Sequence, residues 1–251
     1  MSLVFLTAFG VGFATIFGAL LGFIFRKIPH KWNDGLMSFA TGIMLAAAVV
    51  GLIQPSLEIV GAKGSWITAI GILCGAVFLN LMDKVTPHLH RISGIDQEQH
   101  NNNASLNKIM LFVFAIAIHN FPEGLAAGVG FGSGNTGNAI SVAAAIALQN
   151  IPEGIVTISP LILAGVKKWR ALLIAASTGL IEIIGTFAGY FGASISAGVL
   201  PFALAFAGGT MLYVISDEMI PETHSHGYER LATYSLIVGF IVMLLMDLFI
   251  K

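Results

Sequence analysis

Eight apolar runs of about 20 residues each follow one another along the chain, at roughly 3–25, 35–54, 65–83, 107–130, 138–163, 169–192, 198–217 and 230–250. Such a run is long enough for a helix to cross a hydrocarbon layer, where only helices and closed barrels can satisfy the backbone. The runs occupy most of the 251 residues. The expected fold is therefore an all-α polytopic membrane protein of eight transmembrane helices, one domain over 1–251 surrounded by lipid bilayer. Composition agrees, since 10% of the residues are charged and 56% hydrophobic, against about 25% charged in a soluble domain. A formal net charge of -1 says nothing about an acidic or basic partner, and no nucleic-acid partner is expected of a chain that is almost all membrane span. Cys74 is the single cysteine, which excludes an intramolecular disulfide and a Cys-cluster metal site.

The charges fix an orientation. No basic residue precedes the first run and Arg26, Lys27 and Lys31 follow it, so it reads as a retained helix with its N-terminus outside. The inner connections then carry Arg26, Lys27, Lys31, Lys84, Arg91, Lys108, Lys167, Lys168, Arg170 and Arg230, and only Lys63 and Lys251 fall outside. That bias is the positive-inside pattern, and with eight spans it places both termini outside. The longest connection, about 84–106, reads as a flexible cytoplasmic loop holding His88, His90 and His100.

Polar residues inside the runs point to function, because a bilayer core makes an ionisable group expensive. Two phrases stand 30 positions apart, His119-Asn-Phe-Pro-Glu-Gly124 and Gln149-Asn-Ile-Pro-Glu-Gly154. On a helix His119 and Glu123 lie one turn apart on one face, with Asn120 about 100° away. The second phrase repeats this with Gln149, Asn150 and Glu153. The Gly-rich connection between the two runs is short, which makes their helices antiparallel neighbours and brings the phrases together. Pro122 and Pro152 have no N–H, so each should free the carbonyl four residues back and kink its helix, as happens where backbone faces a polar cavity. Gly124 and Gly154 allow close helix approach, and Gly18, Gly22, Gly185 and Gly189 read as packing positions.

Glu182, in the middle of the sixth run, adds a third carboxylate if it faces the same cavity. One His, three Glu and Asn or Gln oxygens suit a divalent transition metal such as Zn²⁺, Fe²⁺, Mn²⁺ or Co²⁺ rather than Cu⁺.

With these residues in view, the sequence resembles the Zrt/Irt-like (ZIP) metal-ion transporters, most closely their bacterial GufA-like branch. The resemblance rests on both phrases, on Glu182, and on the segment Ser216-Asp217-Glu218-Met-Ile-Pro-Glu222-Thr-His224, and it covers essentially the whole chain. It implies a ZIP-type bundle in a bacterial inner (plasma) membrane, importing a divalent metal as substrate, with a transport bundle sliding against a scaffold. It also implies one metal site from His119, Glu123 and Glu153, and an adjacent one from Asn120, Gln149, Asn150 and Glu182. Asn150 stands where relatives can carry a carboxylate, Gln149 where many carry His, and Asp217 where His is frequent. Three carboxylates leave two Zn²⁺ with a net charge of about +1 and one Zn²⁺ with about -1, so a single ion or a weak second one is expected. Zn²⁺, Fe²⁺, Mn²⁺ and Cd²⁺ all suit the donors, and a homodimer is compatible with the reading.

Asp34, Asp83, Asp217 and Glu218 all fall at cytoplasmic helix ends in this topology, a candidate exit path of weaker sites that His224 and His226 would extend. Acids also sit at helix ends simply because water is there. Two other classes remain: an intramembrane metalloenzyme, which lacks the His-Glu-x-x-His pattern of zinc proteases, and a membrane protein that binds metal without moving it. An enzyme is not expected.

Overall fold

Every regular element among the described residues of this computed structural model, 1–25, 29–85, 120–131, 136–163, 166–194 and 198–250, is a helix. Helix α1 covers Ser2–Phe25, α2 His30–Ala46, α3 Gln54–Val85, α4 residues 120–131, α5 Thr136–Leu163, α6 Lys168–Ser194, α7 Leu200–Val214 and α8 Glu229–Ile250. Six helical stretches among these residues are long and apolar enough to cross a membrane, and one, His30–Met82, runs for 53 residues. That stretch is broken at Gly61, whose φ of 62° and ψ of -176° lie outside helical space. Only glycine takes such a conformation cheaply. The loop at about 84–106 with its histidines, and His119, lie outside the described residues.

Pro152 lies within continuous α5, and Ile118, whose carbonyl Pro122 is expected to free, lies outside the described residues. The ladder widens ahead of two other prolines: α2 ends in a wide π turn, Ala47–Ile53, before Pro55, and α7 ends in another, Ile215–Met219, before Pro221. In each case the residue ahead of the proline reaches back five residues, Gln54 N–H to Val49 O and Ile220 N–H to Ile215 O. The cause lies one residue later, because Pro55 and Pro221 have no N–H for the carbonyls of Gly51 and Asp217. The freed Gly51 carbonyl accepts a hydrogen bond from Asn138 Nδ2 at 3.0 Å.

Glycines set which helices touch. A methyl group at Gly18 or Gly22 would overlap the backbone of Ile151 or Ile155, and one at Gly185 or Gly189 that of Phe121 or Leu125. Those four positions are packing positions, as expected. Likewise Gly42 and Gly239 press α2 on α8, and Gly75 and Gly209 press α3 on α7. The registers give directions: α1 runs parallel to α5, α2 to α8, α3 to α7 and α4 to α6. By contrast α1 is antiparallel to α6, where Phe5 meets Phe187 while Gly12 meets Gly179. So is α4 to α5, where Gly130 faces Ala139 and Glu123 faces Gln149. The expected antiparallel neighbours are thus adjacent. Backbones this close maximise dispersion contact, the main source of helix association where no water is expelled.

Candidate metal centre

Four helices converge on a polar centre in the middle of the bundle. Asn120 and Glu123 come from α4, Gln149, Asn150 and Glu153 from α5, and Glu182 from α6. Close backbones put them there, since a methyl at Gly124 would overlap the carbonyl of Glu182 and one at Gly154 that of Thr15 on α1. Asn120, Glu123, Gln149, Asn150 and Glu182 are each 1% exposed or less. Glu153 is half-buried and within electrostatic reach of both Glu123 and Glu182.

The carboxylates are held by amides. Gln149 Nε2 donates to Glu123 Oε1 at 2.7 Å, joining the two phrases directly. Asn150 Nδ2 donates to Glu182 Oε2 at 2.7 Å, and Asn120 Nδ2 donates to Glu182 Oε1. An ionised carboxylate can only accept, so it turns the NH₂ end of each amide toward itself. The opposite ends, Asn120 Oδ1, Gln149 Oε1 and Asn150 Oδ1, are buried with no hydrogen-bond partner among the described residues, as is Glu123 Oε2. Buried polar atoms are rarely left so. Three unpartnered amide oxygens and one unpartnered oxygen of Glu123 thus lie with Glu153 and Glu182, oxygen donors of the kind cations take.

The described helices that build this centre carry no Lys or Arg near it. No Lys or Arg occurs between Lys108 and Lys167, or in residues 171–194 and 1–25. Among the described residues, however, no three His, Cys, Asp or Glu side chains form a ready-made metal cluster. The expected nitrogen ligand His119 lies outside them. Amides supply half of the set seen here.

One residue that the sequence did not single out belongs to the centre. Thr15 of α1 donates from Oγ1 to Glu182 Oε1 at 2.6 Å and is 3% exposed. A threonine in an apolar run carries no signal of such a role. Asp247 did carry one, a lone acid within the last run, and it accepts from Ser141 Oγ at 2.9 Å.

The candidate exit residues gather at one end of the bundle without forming one cluster. Asp34, 1% exposed, accepts from His226 Nδ1 at 3.1 Å, and the His226 ring stacks on His30 with centroids 4.8 Å apart. His226 Nε2 is 3.9 Å from Glu222 Oε1. His224 turns away, its ring nitrogens 2.9 Å from the Ile220 carbonyl and 3.1 Å from the Thr233 hydroxyl. Asp217, exposed, and Glu218, half-buried, lie in the π turn after α7. Asp83 lies near the C-terminal end of α3, which the parallel packing of α3 and α7 brings to the same end.

Comparison with known proteins agrees with this architecture. The family described as "ZIP Zinc transporter" matches residues 91–247. The chain is 38% identical over 243 residues to zinc transporter GufA of Myxococcus xanthus, covering 94% of each protein. It is 37% identical over 240 residues to zinc transporter ZIPB of Bordetella bronchiseptica, covering 93% of this chain and 77% of that one. Zinc transporter ZupT of Chlorobaculum parvum is 33% identical over 246 residues, with 92% and 91% covered. The chain belongs to the ZIP zinc-transporter family.

Proposed function

We propose that the chain is a transporter, not an enzyme, and carries a divalent transition-metal ion, Zn²⁺ foremost, across a membrane into the cytoplasm. The observation that carries this reading is the buried centre in which Glu123 Oε2 and three amide oxygens have no partner among the described residues. A buried carboxylate with no Lys or Arg beside it is neutralised by a proton or by a bound cation, and the amide oxygens, which take up no proton, favour the cation. The family and its zinc-transporting relatives favour Zn²⁺ as that substrate. Fe²⁺, Mn²⁺ and Cd²⁺ suit the same nitrogen and oxygen donors. His119, Glu123 and Glu153 would hold the ion, with Asn120, Gln149, Asn150 and Glu182 beside it.

The transport path has eight spans in this reading. A helix of 53 residues, His30–Met82, would be about 80 Å long against a hydrocarbon core of about 30 Å, so the Gly61 break divides it into two spans. Taking 120–131 as the end of another completes eight. Helix directions support the count: the parallel pairs (α1 with α5, α2 with α8, α3 with α7, α4 with α6) have the same parity, and the antiparallel pairs have opposite parity. Basic residues concentrate at the end with Lys31, Lys167, Lys168, Arg170 and Arg230, which makes it cytoplasmic and both chain ends external. Exposed apolar residues such as Phe9 and Phe13 on α1 and Leu248 and Phe249 on α8 suit contact with lipid, and bacterial relatives favour an inner membrane.

Asp34, Asp83, Asp217 and Glu218 then line the cytoplasmic exit. Helices α1, α4, α5 and α6, tied by glycine contacts around the centre, would move as one body against α2, α3, α7 and α8. Zinc uptake by His119→Ala and Glu153→Ala tests the site. Each change deletes a ligand and leaves the helix apolar, so each should remove most uptake at an unchanged level of protein in the membrane. Uptake at the parent rate by either variant would refute the assignment.

A further inference from the structure

Thr15 does not make the hydrogen bond that threonines in these helices usually make. Thr41, Thr157, Thr186 and Thr223 each turn the hydroxyl back to the carbonyl four residues earlier, on Met37, Glu153, Glu182 and Met219, the usual local bond in a helix. The corresponding acceptor for Thr15 is the Val11 carbonyl, and that oxygen faces Asn150 Nδ2 at 3.4 Å. The Thr15 hydroxyl instead crosses to α6 and donates to Glu182 Oε1 at 2.6 Å. Glycine makes the reach short, because a methyl at Gly12 or Gly179 would overlap the other residue's carbonyl, so α1 and α6 press together one turn from Thr15.

Glu182 is thereby engaged from three helices: α1 through Thr15, α4 through Asn120 and α5 through Asn150. Resting on the metal site proposed above, we infer that Thr15 is a positioning residue that holds Glu182 as an acceptor behind the ion rather than as a ligand on it. With Oε1 occupied by the Thr15 hydroxyl and the Asn120 amide, Glu182 draws the NH₂ ends of both asparagines toward itself. Asn120 Oδ1 and Asn150 Oδ1, unpartnered and buried, are then left for the ion. Without the hydroxyl, Glu182 is freer to turn and bind the ion itself. Carboxylate and amide oxygens are both hard donors, so the preference changes through coordination number: a site that gains a carboxylate oxygen moves from the four-coordinate arrangement of Zn²⁺ toward the six-oxygen one that suits Mn²⁺. Thr15 therefore sets both zinc affinity and the preference for Zn²⁺ over Mn²⁺.

The test is Thr15→Val, which keeps the shape and removes the donor, assayed by Zn²⁺ and Mn²⁺ uptake into vesicles containing the purified full chain. KM for Zn²⁺ should rise about tenfold, the cost of a lost hydrogen bond to a charged group. The maximal rate per molecule should change much less, and competition should shift toward Mn²⁺. Thr15→Ser restores the hydroxyl and should return both readouts toward the parent. If the Val variant does not reach the membrane, Thr15→Ala, which carries no donor, makes the same comparison. A Val or Ala variant with parental KM and metal preference overturns the inference, and so does a Ser variant as impaired as Val. Glu153→Ala run alongside separates the two proposals. Parental uptake in that variant defeats the site, while parental behaviour of Thr15→Val with an inactive Glu153→Ala defeats only the role of Thr15.

Discussion

Asn150 donates to Glu182 Oε2 at 2.7 Å, a contact that in the proposed site would limit how many ions bind. An aspartate there would lose the donor and place two carboxylates in contact, a repulsion that a second cation relieves. Asn150→Asp should therefore raise the zinc stoichiometry of the purified protein from about one ion per chain toward two, measured by calorimetric titration. Two tight ions in the parent, or an unchanged count in the variant, would contradict this. The repeated phrases made most of the described centre legible in the sequence: about one helix turn relates Asn120 to Glu123, and the short connection brings Gln149 to Glu123. Thr15 was not legible, because its role depends on which helix α1 lies against, and a lone hydroxyl in an apolar run is common. Nor was the way the amides hold the carboxylates, since residue types alone do not say which end of an amide faces the ion.

Among the helices, glycine spacing decides contact and proline position decides where the ladder opens. Gly239 sits where a methyl would overlap the Phe39 carbonyl, whereas Gly10 has nothing within 4 Å. Gly239→Ala should lower stability by about 1–3 kcal/mol through overpacking, while Gly10→Ala should be neutral or stabilising by up to about 1 kcal/mol from helix propensity. Unfolding midpoints of the two variants in mixed detergent micelles check this, and equal midpoints would refute the packing account. Apolar run lengths located the helices well, because a bilayer sets their length. Pro122 and Pro152 drew attention inside the phrases, and the π turns ahead of Pro55 and Pro221 were not foreseen. A proline removes one donor wherever it sits, and only tertiary packing decides whether the ladder widens. At Gly51 it supplied a replacement donor, Asn138, from a helix far away in sequence.

Across the whole molecule, the same-parity and opposite-parity pairings, the one-sided basic residues and the central polar cluster describe a bundle whose two ends differ while its middle can hold an ion. The acids near Asp34 and the π turn after α7 lie at the end rich in Lys and Arg, so metal leaving the centre would meet them last. In the proposed path that order leads an ion from the centre to the cytoplasm, which a static binding protein does not require. Zinc flux by the purified parent chain alone in liposomes, with Mn²⁺, Fe²⁺ and Cd²⁺ as competitors, tests this most directly. The account predicts saturable zinc accumulation that the other divalent ions inhibit and that Glu123→Ala abolishes. Tight zinc binding by the parent without any flux across the liposome membrane would contradict it.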